Sequence, residues 1–386
     1  MGNIKEFALL HLFFCITFLV SGLTVNLLQL ILYILLSRVN RKLFRTLNYY
    51  LIYTIYAQLL FLADWWSAAK LNIYSAPDLH HVLKGMGEEH AIILMNHHYE
   101  LDWLYGWMVG DSARLLGNAR VYVKKMLKYV PIIGWAWGFS DVAFLERNWE
   151  KDKDNLAYKI NQLLDYPSPV WILLFPEGTR FSQEKFAASQ KFAAARGLPE
   201  LQHHLIPRTK GFSFTVSQLD PTRISTVYDV TLVAGSENSA PPTLTSAIRG
   251  KETVANMYIR KFDLKDIPKD EEGSSAWLMK LFQEKDALKD SYSKTGCFSE
   301  LSGMPKYKAV QQKRRICSLL ICIGLNLIVN CGILALVWTG SIYTRIAVLV
   351  FFVFAWLAMD RLVNITKISK SSAYGKTSPE QTKKNE

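Results

Sequence analysis

Residues 91–102 read Ala91-Ile92-Ile93-Leu94-Met95-Asn96-His97-His98-Tyr99-Glu100-Leu101-Asp102. Five apolar residues in a row, without polar alternation, predict a short strand buried on both faces. The strand runs directly into a turn rich in histidine and carboxylate. A second block has the same form: Val170-Trp171-Ile172-Leu173-Leu174 leads into Phe175-Pro176-Glu177-Gly178-Thr179-Arg180. Between them, Leu156, Ile160, Leu163 and Leu164 have helical spacing within 152–164. Further strands are expected at 121–123, 142–145, 225–233 and 256–262. Further helices are expected at 274–292 and at 184–195, the latter closed by Gly197-Leu198-Pro199. The fold class is therefore α/β, a mixed or mostly parallel sheet flanked by helices, over residues 67–300.

Outward from this domain the composition changes. Half of the 386 residues are hydrophobic and 20% are charged, which excludes a disordered chain, and the apolar residues gather at both ends. Residues 7–36 are almost uninterrupted hydrophobe. As a helix they would span about 45 Å against a hydrocarbon core of roughly 30 Å, so the helix must tilt, bend or leave the bilayer. A cleaved signal peptide is the competing reading, but its apolar region should stop sooner. The run 49–62, ending in Asp64-Trp65-Trp66, is short for a span. It reads either as a helix in the membrane interface or as a buried core helix.

Residues 316–338 and 342–359, joined by Thr339-Gly340-Ser341, predict a transmembrane hairpin whose two ends face the same side. Lys306, Lys308, Lys313, Arg314 and Arg315 precede it, and Arg361, Lys367 and Lys370 follow. The positive-inside rule puts both flanks in the cytosol, and Arg38, Arg41, Lys42 and Arg45 after the first run agree. The sequon Asn364-Ile365-Thr366 would then go unused. The expected organisation is N-terminal membrane-anchoring helices (1–66), the α/β domain (67–300), the hairpin region (301–370) and a disordered cytosolic tail (371–386). The tail ends Lys383-Lys384-Asn385-Glu386, the form of a dilysine retrieval signal. The expected location is the endoplasmic reticulum membrane, multi-pass, with the α/β domain and C-terminus cytosolic and the Golgi as an additional site.

The net charge of +12 favours an anionic partner. With membrane segments present, anionic lipid or a phosphorylated small molecule fits better than nucleic acid. Of Cys15, Cys297, Cys317, Cys322 and Cys331, four lie in apolar runs and none forms a Cys-x-x-Cys pair. This argues against a disulfide framework or a zinc ribbon.

Four segments could carry chemistry. In the first, His97 can take a proton near neutral pH, and Asp102, five residues on, can fix its tautomer. No Ser or Cys sits in a nucleophile-elbow setting, so the chemistry would be activation of a substrate hydroxyl rather than an acyl-enzyme. Metal ligation by His97, His98, Glu100 and Asp102, or an ordinary polar loop, are the alternatives; the spacing fits no standard zinc site. In the second, Gly178 permits a tight turn, Thr179 offers a hydroxyl and Arg180 a fork for phosphate. Glu177 could accept from a substrate hydroxyl or orient the arginine. A plain turn with a surface ion pair is the alternative. The third, Val123 to Trp135, sets Lys124, Lys125 and Lys128 beside Pro131 and Gly134, suited to an anionic headgroup or simply to solvent, and Arg147 follows a strand nearby in sequence. The fourth, Leu205-Ile206-Pro207-Arg208-Thr209-Lys210-Gly211-Phe212, reads as a strand end with two more cations.

Taken in order, His-x-x-x-x-Asp, a basic Pro/Gly segment, Phe-Pro-Glu-Gly-Thr-Arg and a hydrophobic-hydrophobic-Pro block resemble the glycerolipid acyltransferase family, over about residues 20–300. Residues 203–212, Trp277 to Ala287 and the C-terminal hairpin look like the gamma/delta-type branch of the lysophosphatidic acid acyltransferases. Pro176 stands where that branch often has Cys. The resemblance implies transfer of a fatty acyl group from acyl-CoA to the sn-2 hydroxyl of a lysophospholipid. His97 would be the base and Asp102 its orienting partner. Glu177, Gly178, Thr179 and Arg180 would bind the acceptor's glycerol phosphate, helped by Lys124, Arg147, Arg208 or Lys210. No metal and no bound cofactor would be needed, acyl-CoA being a co-substrate. Lysophosphatidic acid is the expected acceptor. Another lysophospholipid such as lysophosphatidylinositol, or a non-catalytic lipid-binding role, stays open from sequence.

Overall fold

The computed structural model describes residues 4–76, 79–146, 148–236 and 238–366. Arg147, the tail 371–386 and its dilysine lie outside the described residues. The centre is a seven-stranded sheet. In spatial order its strands are β3 (Ala119–Val121), β6 (Trp171–Leu174), β2 (Ala91–Met95), β7 (Thr226–Ala234), β8 (Val254–Asp263), β1 (Lys70–Ser75) and β9 (Ala309–Gln311). Strands β3, β6, β2 and β7 run parallel, β8 is antiparallel to β7 and parallel to β1, and β9 caps the edge antiparallel to β1. The expected α/β class is what the chain adopts. The stretch 121–123 is split: β3 ends at Val121, and β4 (Val123–Lys124) pairs instead with β5 (Phe144–Leu145) in a separate two-stranded sheet.

Both faces of the sheet are covered because β2 is apolar at every position. Ala91, Ile93 and Met95 pack on one face against Ile16 and Leu19 of α1 (Ala8–Leu36), Ile52, Ile55 and Tyr56 of α2 (Arg41–Phe61), and Leu104 and Met108, further down the chain. Ile92 and Leu94 point the other way, to a cluster holding Leu156, Ile160, Phe212, Val216, Leu278 and Phe282. The elements behind these residues are α4 (Asp102–Ser112) on the first face and α6 (Trp149–Leu164), α8 (Thr209–Gln218) and α10 (Glu271–Thr295) on the second. The run 49–62 is thus part of a buried helix: α2 closes one face of the sheet, and Arg45, 4% exposed, donates to Asp165 O, Gln162 O and Asp141 Oδ2. The core therefore crosses residue 67, and β9 carries the sheet beyond residue 300.

Among the described residues, Ala8–Leu36 and Ile316–Thr339 are long and apolar enough to cross a membrane. The second is α11, followed by α12 (Ile342–Thr366), which holds a shorter apolar stretch, Ile342–Ala358. α1, α2, α11 and α12 pack on one another. Small and polar side chains knit them: Asn326 and Asn330 bond Thr17, and Cys15 donates to Ala355 O. Arg315 pairs with buried Asp111 of α4 at 2.9 Å, and α12 packs on α9 (Leu244–Ile248), so both helices of the hairpin meet the α/β domain. Both ends of α1 do so too. Lys5 donates to Trp66 O and Glu6 faces Lys251 at one end; the Tyr33 ring meets Phe139 at the other. All five cysteines are free.

Candidate active site

Strand register sets the site. β2 and β6 are parallel with Leu94 opposite Leu174, so three residues further on His97 and Glu177 come level. The His97 backbone N–H donates to Glu177 Oε1 at 2.7 Å. The chain leaving β2 is held from the other side by Asn96, whose amide bonds both the N–H and the C=O of Leu232 in β7. Ligands bind at such C-terminal ends of parallel strands, where connecting loops diverge.

His97 Nδ1 lies 3.0 Å from Asp102 Oδ2. That same oxygen accepts the backbone N–H groups of His98 and Tyr99, at 2.7 and 2.9 Å. Asp102 is fully buried in the first turn of α4, and the second oxygen, Oδ1, has no hydrogen-bond partner among the described residues. Three converging donors fix the carboxylate, and the carboxylate fixes the imidazole with Nδ1–H inward. Nε2 is then the nitrogen offered to a ligand, on a side chain 21% exposed. The imidazole stacks on Phe175 at 4.3 Å between centroids.

The Phe175–Arg180 loop is placed around the same point. Gly178 has φ +69°, a left-handed conformation that glycine adopts without strain. A Cβ there would meet Arg208 Cδ at 3.0 Å, so the arginine side chain lies over this glycine. The Arg208 N–H also donates to Pro176 O at 2.8 Å. Arg180 is half-buried, and burial lowers its pKa. Arg208 thus lies over the loop that carries Arg180, and Arg180 lies in the field of Glu100 and Asp102. Thr179 is buried.

Glu177 is different from what the sequence suggested. Its carboxylate is fully buried and turns inward: Oε1 accepts from His97 N–H and Oε2 from Leu205 N–H, at 3.2 Å. Burial raises its pKa to about 7 despite those two bonds. It braces two loops and offers no oxygen to a substrate. The segment 205–212 is corrected as well: it is no strand end. Leu205 and Ile206 donate to the Glu177 and Ser189 side chains instead of to a neighbouring strand, and α8 starts at Thr209. Lys210 sits exposed in its first turn. Lys124 lies on the separate β4/β5 sheet, and Lys125 pairs with Glu146. Among the described residues no three His, Cys, Asp or Glu side chains are grouped to hold a metal ion.

The basic Pro/Gly segment carries a strained turn. Ile132, a β-branched residue, has φ +67° and ψ −73°, and Ile133 N–H donates to Pro131 O at 2.8 Å. This is the rare three-residue turn, of order 1–3 kcal/mol in cost. α1 holds it: a Cβ on Gly22 would come within 2.6 Å of Ile132 Cγ2, and Asn26 donates to Ile132 O at 3.3 Å. A groove lined by Leu23, Leu27, Leu30, Lys128, Trp135 and Phe139 runs between α1 and this segment.

A family model described as Acyltransferase matches residues 72–233, the stretch that carries both strand-end motifs, and one described as Acyltransferase C-terminus matches residues 246–325. The 1-acyl-sn-glycerol-3-phosphate acyltransferase delta of Homo sapiens is 39% identical over 382 residues, 98% of each chain. The delta protein of Bos taurus is 40% identical over 381 residues, 98% of this chain and 97% of its own. The gamma protein of Homo sapiens is 38% identical over 376 residues, 97% of each. The chain belongs to the 1-acyl-sn-glycerol-3-phosphate acyltransferase family. In this member the sequence motifs named His97, Asp102 and the 177–180 loop, but they left α10 without a role. Four consecutive-turn charges there, Lys285, Asp286, Lys289 and Asp290, reach the back of the site. Their signal was a buried-type helix carrying charges where apolar residues should stand.

Proposed function

We infer that this protein transfers a fatty acyl group from acyl-CoA to the sn-2 hydroxyl of 1-acyl-glycerol-3-phosphate, giving phosphatidic acid, at a membrane surface. The observation that carries this reading is the His97–Asp102 pair, 3.0 Å apart, opening beside the Gly178–Arg180 loop and Arg208. His97 Nε2 takes the proton of the sn-2 hydroxyl as its oxygen attacks the thioester carbonyl. The carbon–sulfur bond then breaks, and the imidazolium returns the proton to the departing thiolate, so CoA leaves as its thiol. Asp102 stabilises the imidazolium, and the thioester already supplies a good leaving group. Arg180 and Arg208 suit the acceptor's phosphate, whose charge an arginine fork can grip at two points. The chemistry calls on no metal or resident cofactor.

The acceptor's chain matches the apolar groove along α1, with Lys128 at its rim. The positive flanks of the hairpin, and the Arg315–Asp111 pair that ties its first end to the α/β domain, support a cytosolic catalytic domain with α11 and α12 dipping through the bilayer. α1, tied to the domain at both ends, then lies along the membrane on the same side.

The test is purified protein with 1-acyl-glycerol-3-phosphate and acyl-CoA, with the product read by mass spectrometry. Phosphatidic acid should form, His97→Ala should lose 10²–10⁴-fold in rate, and Arg180→Ala should raise KM for the acceptor more than for acyl-CoA. Acylation of lysophosphatidylinositol in preference to lysophosphatidic acid would overturn the acceptor; absence of any acyl transfer would overturn the reaction.

A further inference from the structure

α10 brings Lys289, 6% exposed, against the turn that carries His97. Its Nζ lies 2.9 Å from His98 Nδ1 and 5.8 Å from the ring centroids of Tyr99 and Phe181. Burial, and the charge of Lys289 beside it, push the His98 pKa far down, so this imidazole is neutral and accepts the lysine's hydrogen bond. Its neighbours have partners of their own. Lys285, fully buried, pairs with Asp229 at 2.5 Å and donates to Val230 O, and Asp286 holds His204 at 2.9 Å. Lys289 therefore has a neutral hydrogen-bond partner while two fully buried carboxylates, Asp102 and Glu177, lie in its electric field. Burying two carboxylates around one backbone segment is costly without a nearby cation.

We propose that Lys289 is a positioning residue for acyl transfer: through His98 it fixes the His97 turn, and its buried charge balances Asp102 and Glu177. This rests on the acyltransferase reading of the site. The groups that face it are His98 and Asp102 from the β2–α4 turn, Glu177 from the β6 loop, His204 from the loop before α8, and Asp286 on α10 itself; His97 and His203 face His98 in turn. Burial lowers the pKa of Lys289 to about 8, and burial raises that of Glu177 to about 7 with Lys289 pulling it back. Both groups are charged in the interval between. Below it Glu177 takes a proton, and its grip on the His97 N–H weakens. Removing the lysine's charge lets Glu177 protonate at higher pH, so activity should begin to fall at higher pH as the solution is acidified.

The experiment measures kcat and KM for both substrates from pH 5.5 to 9 in full-length wild type, Lys289→Met and Lys289→Arg, with thermal unfolding in parallel. The expected result is an acid limb of kcat displaced upward by about one pH unit in Lys289→Met, a loss of about tenfold on that limb. KM should stay within about threefold, and Lys289→Arg should return the limb to the wild-type position. If Lys289→Met does not fold, Lys289→Gln removes the charge while keeping an N–H donor and should show the same displacement. An acid limb that superimposes on wild type in a folded, charge-free variant overturns the proposal while leaving acyl transfer standing. A wild type with no acyl transfer overturns both.

Discussion

Replacing Asp102 by asparagine separates charge from geometry at this site. Among the described residues, all three hydrogen bonds to Asp102 fall on Oδ2, and Oδ1 has no partner. An asparagine can set its carbonyl oxygen where Oδ2 stands and keep every bond, with its NH₂ in the place of Oδ1. The turn should survive. The cost is one buried, unsatisfied amide, about 1–3 kcal/mol, or a fall in Tm of less than about 10 °C for a domain of this size. What disappears is the negative charge facing the imidazolium. With charge centres about 4 Å apart and an effective dielectric constant of about 20, that attraction is about 4 kcal/mol, or about three decades in rate. The assay is continuous release of CoA thiol with saturating acceptor, alongside circular dichroism and thermal unfolding. The expected result is a folded protein with kcat lowered about 10³-fold and both KM values near wild type. A folded variant retaining more than about a tenth of the wild-type kcat would refute the charge argument, and with it the role of His97 as the proton carrier.

Two further outcomes follow from the same geometry. Glu177→Gln should trade activity for stability: the raised pKa means the folded state favours the protonated acid, so this group's stabilising contribution is present at low pH and lost as pH rises from 4.5 through about 7. A 2.5-unit shift is about 3 kcal/mol, against one weakened backbone bond of about 2 kcal/mol. Denaturant titrations should therefore find the variant no less stable than wild type at pH 8 and less stable at pH 5, with kcat reduced at both; a kcat equal to wild type at both pH values would show that the brace is dispensable. Gly22→Val should push α1 off Ile132 and lower turnover at least tenfold while the α/β domain still melts cooperatively, and full activity in that variant would remove α1 from the catalytic assembly.

The residues 91–95 and 170–174 determined the core of this fold by themselves: a strand apolar at every position has two faces to bury, and only an α/β sheet covered on both sides does that. The motifs directly after those strands put His97, Asp102, Gly178 and Arg180 at neighbouring strand ends for the same reason, since a short turn leaves little freedom about where its residues go. Tertiary structure decided the rest. Whether 49–62 sits in lipid or in protein depends on what packs against it, and α2 turned out to be the cover of the sheet's first face. The direction of Glu177 depends on a register between two strands 80 residues apart, which brings the His97 N–H to its carboxylate. Arg208 reaches the site because its neighbours bond to side chains, so the segment never enters the sheet. Lys289 falls on the same helical stripe as Leu278, Leu281, Phe282 and Lys285, but a lysine on a helix normally points to water, so its sequence position alone gave it no role. Only the position of α10 beneath the strand ends places that charge between a neutral histidine and two buried carboxylates.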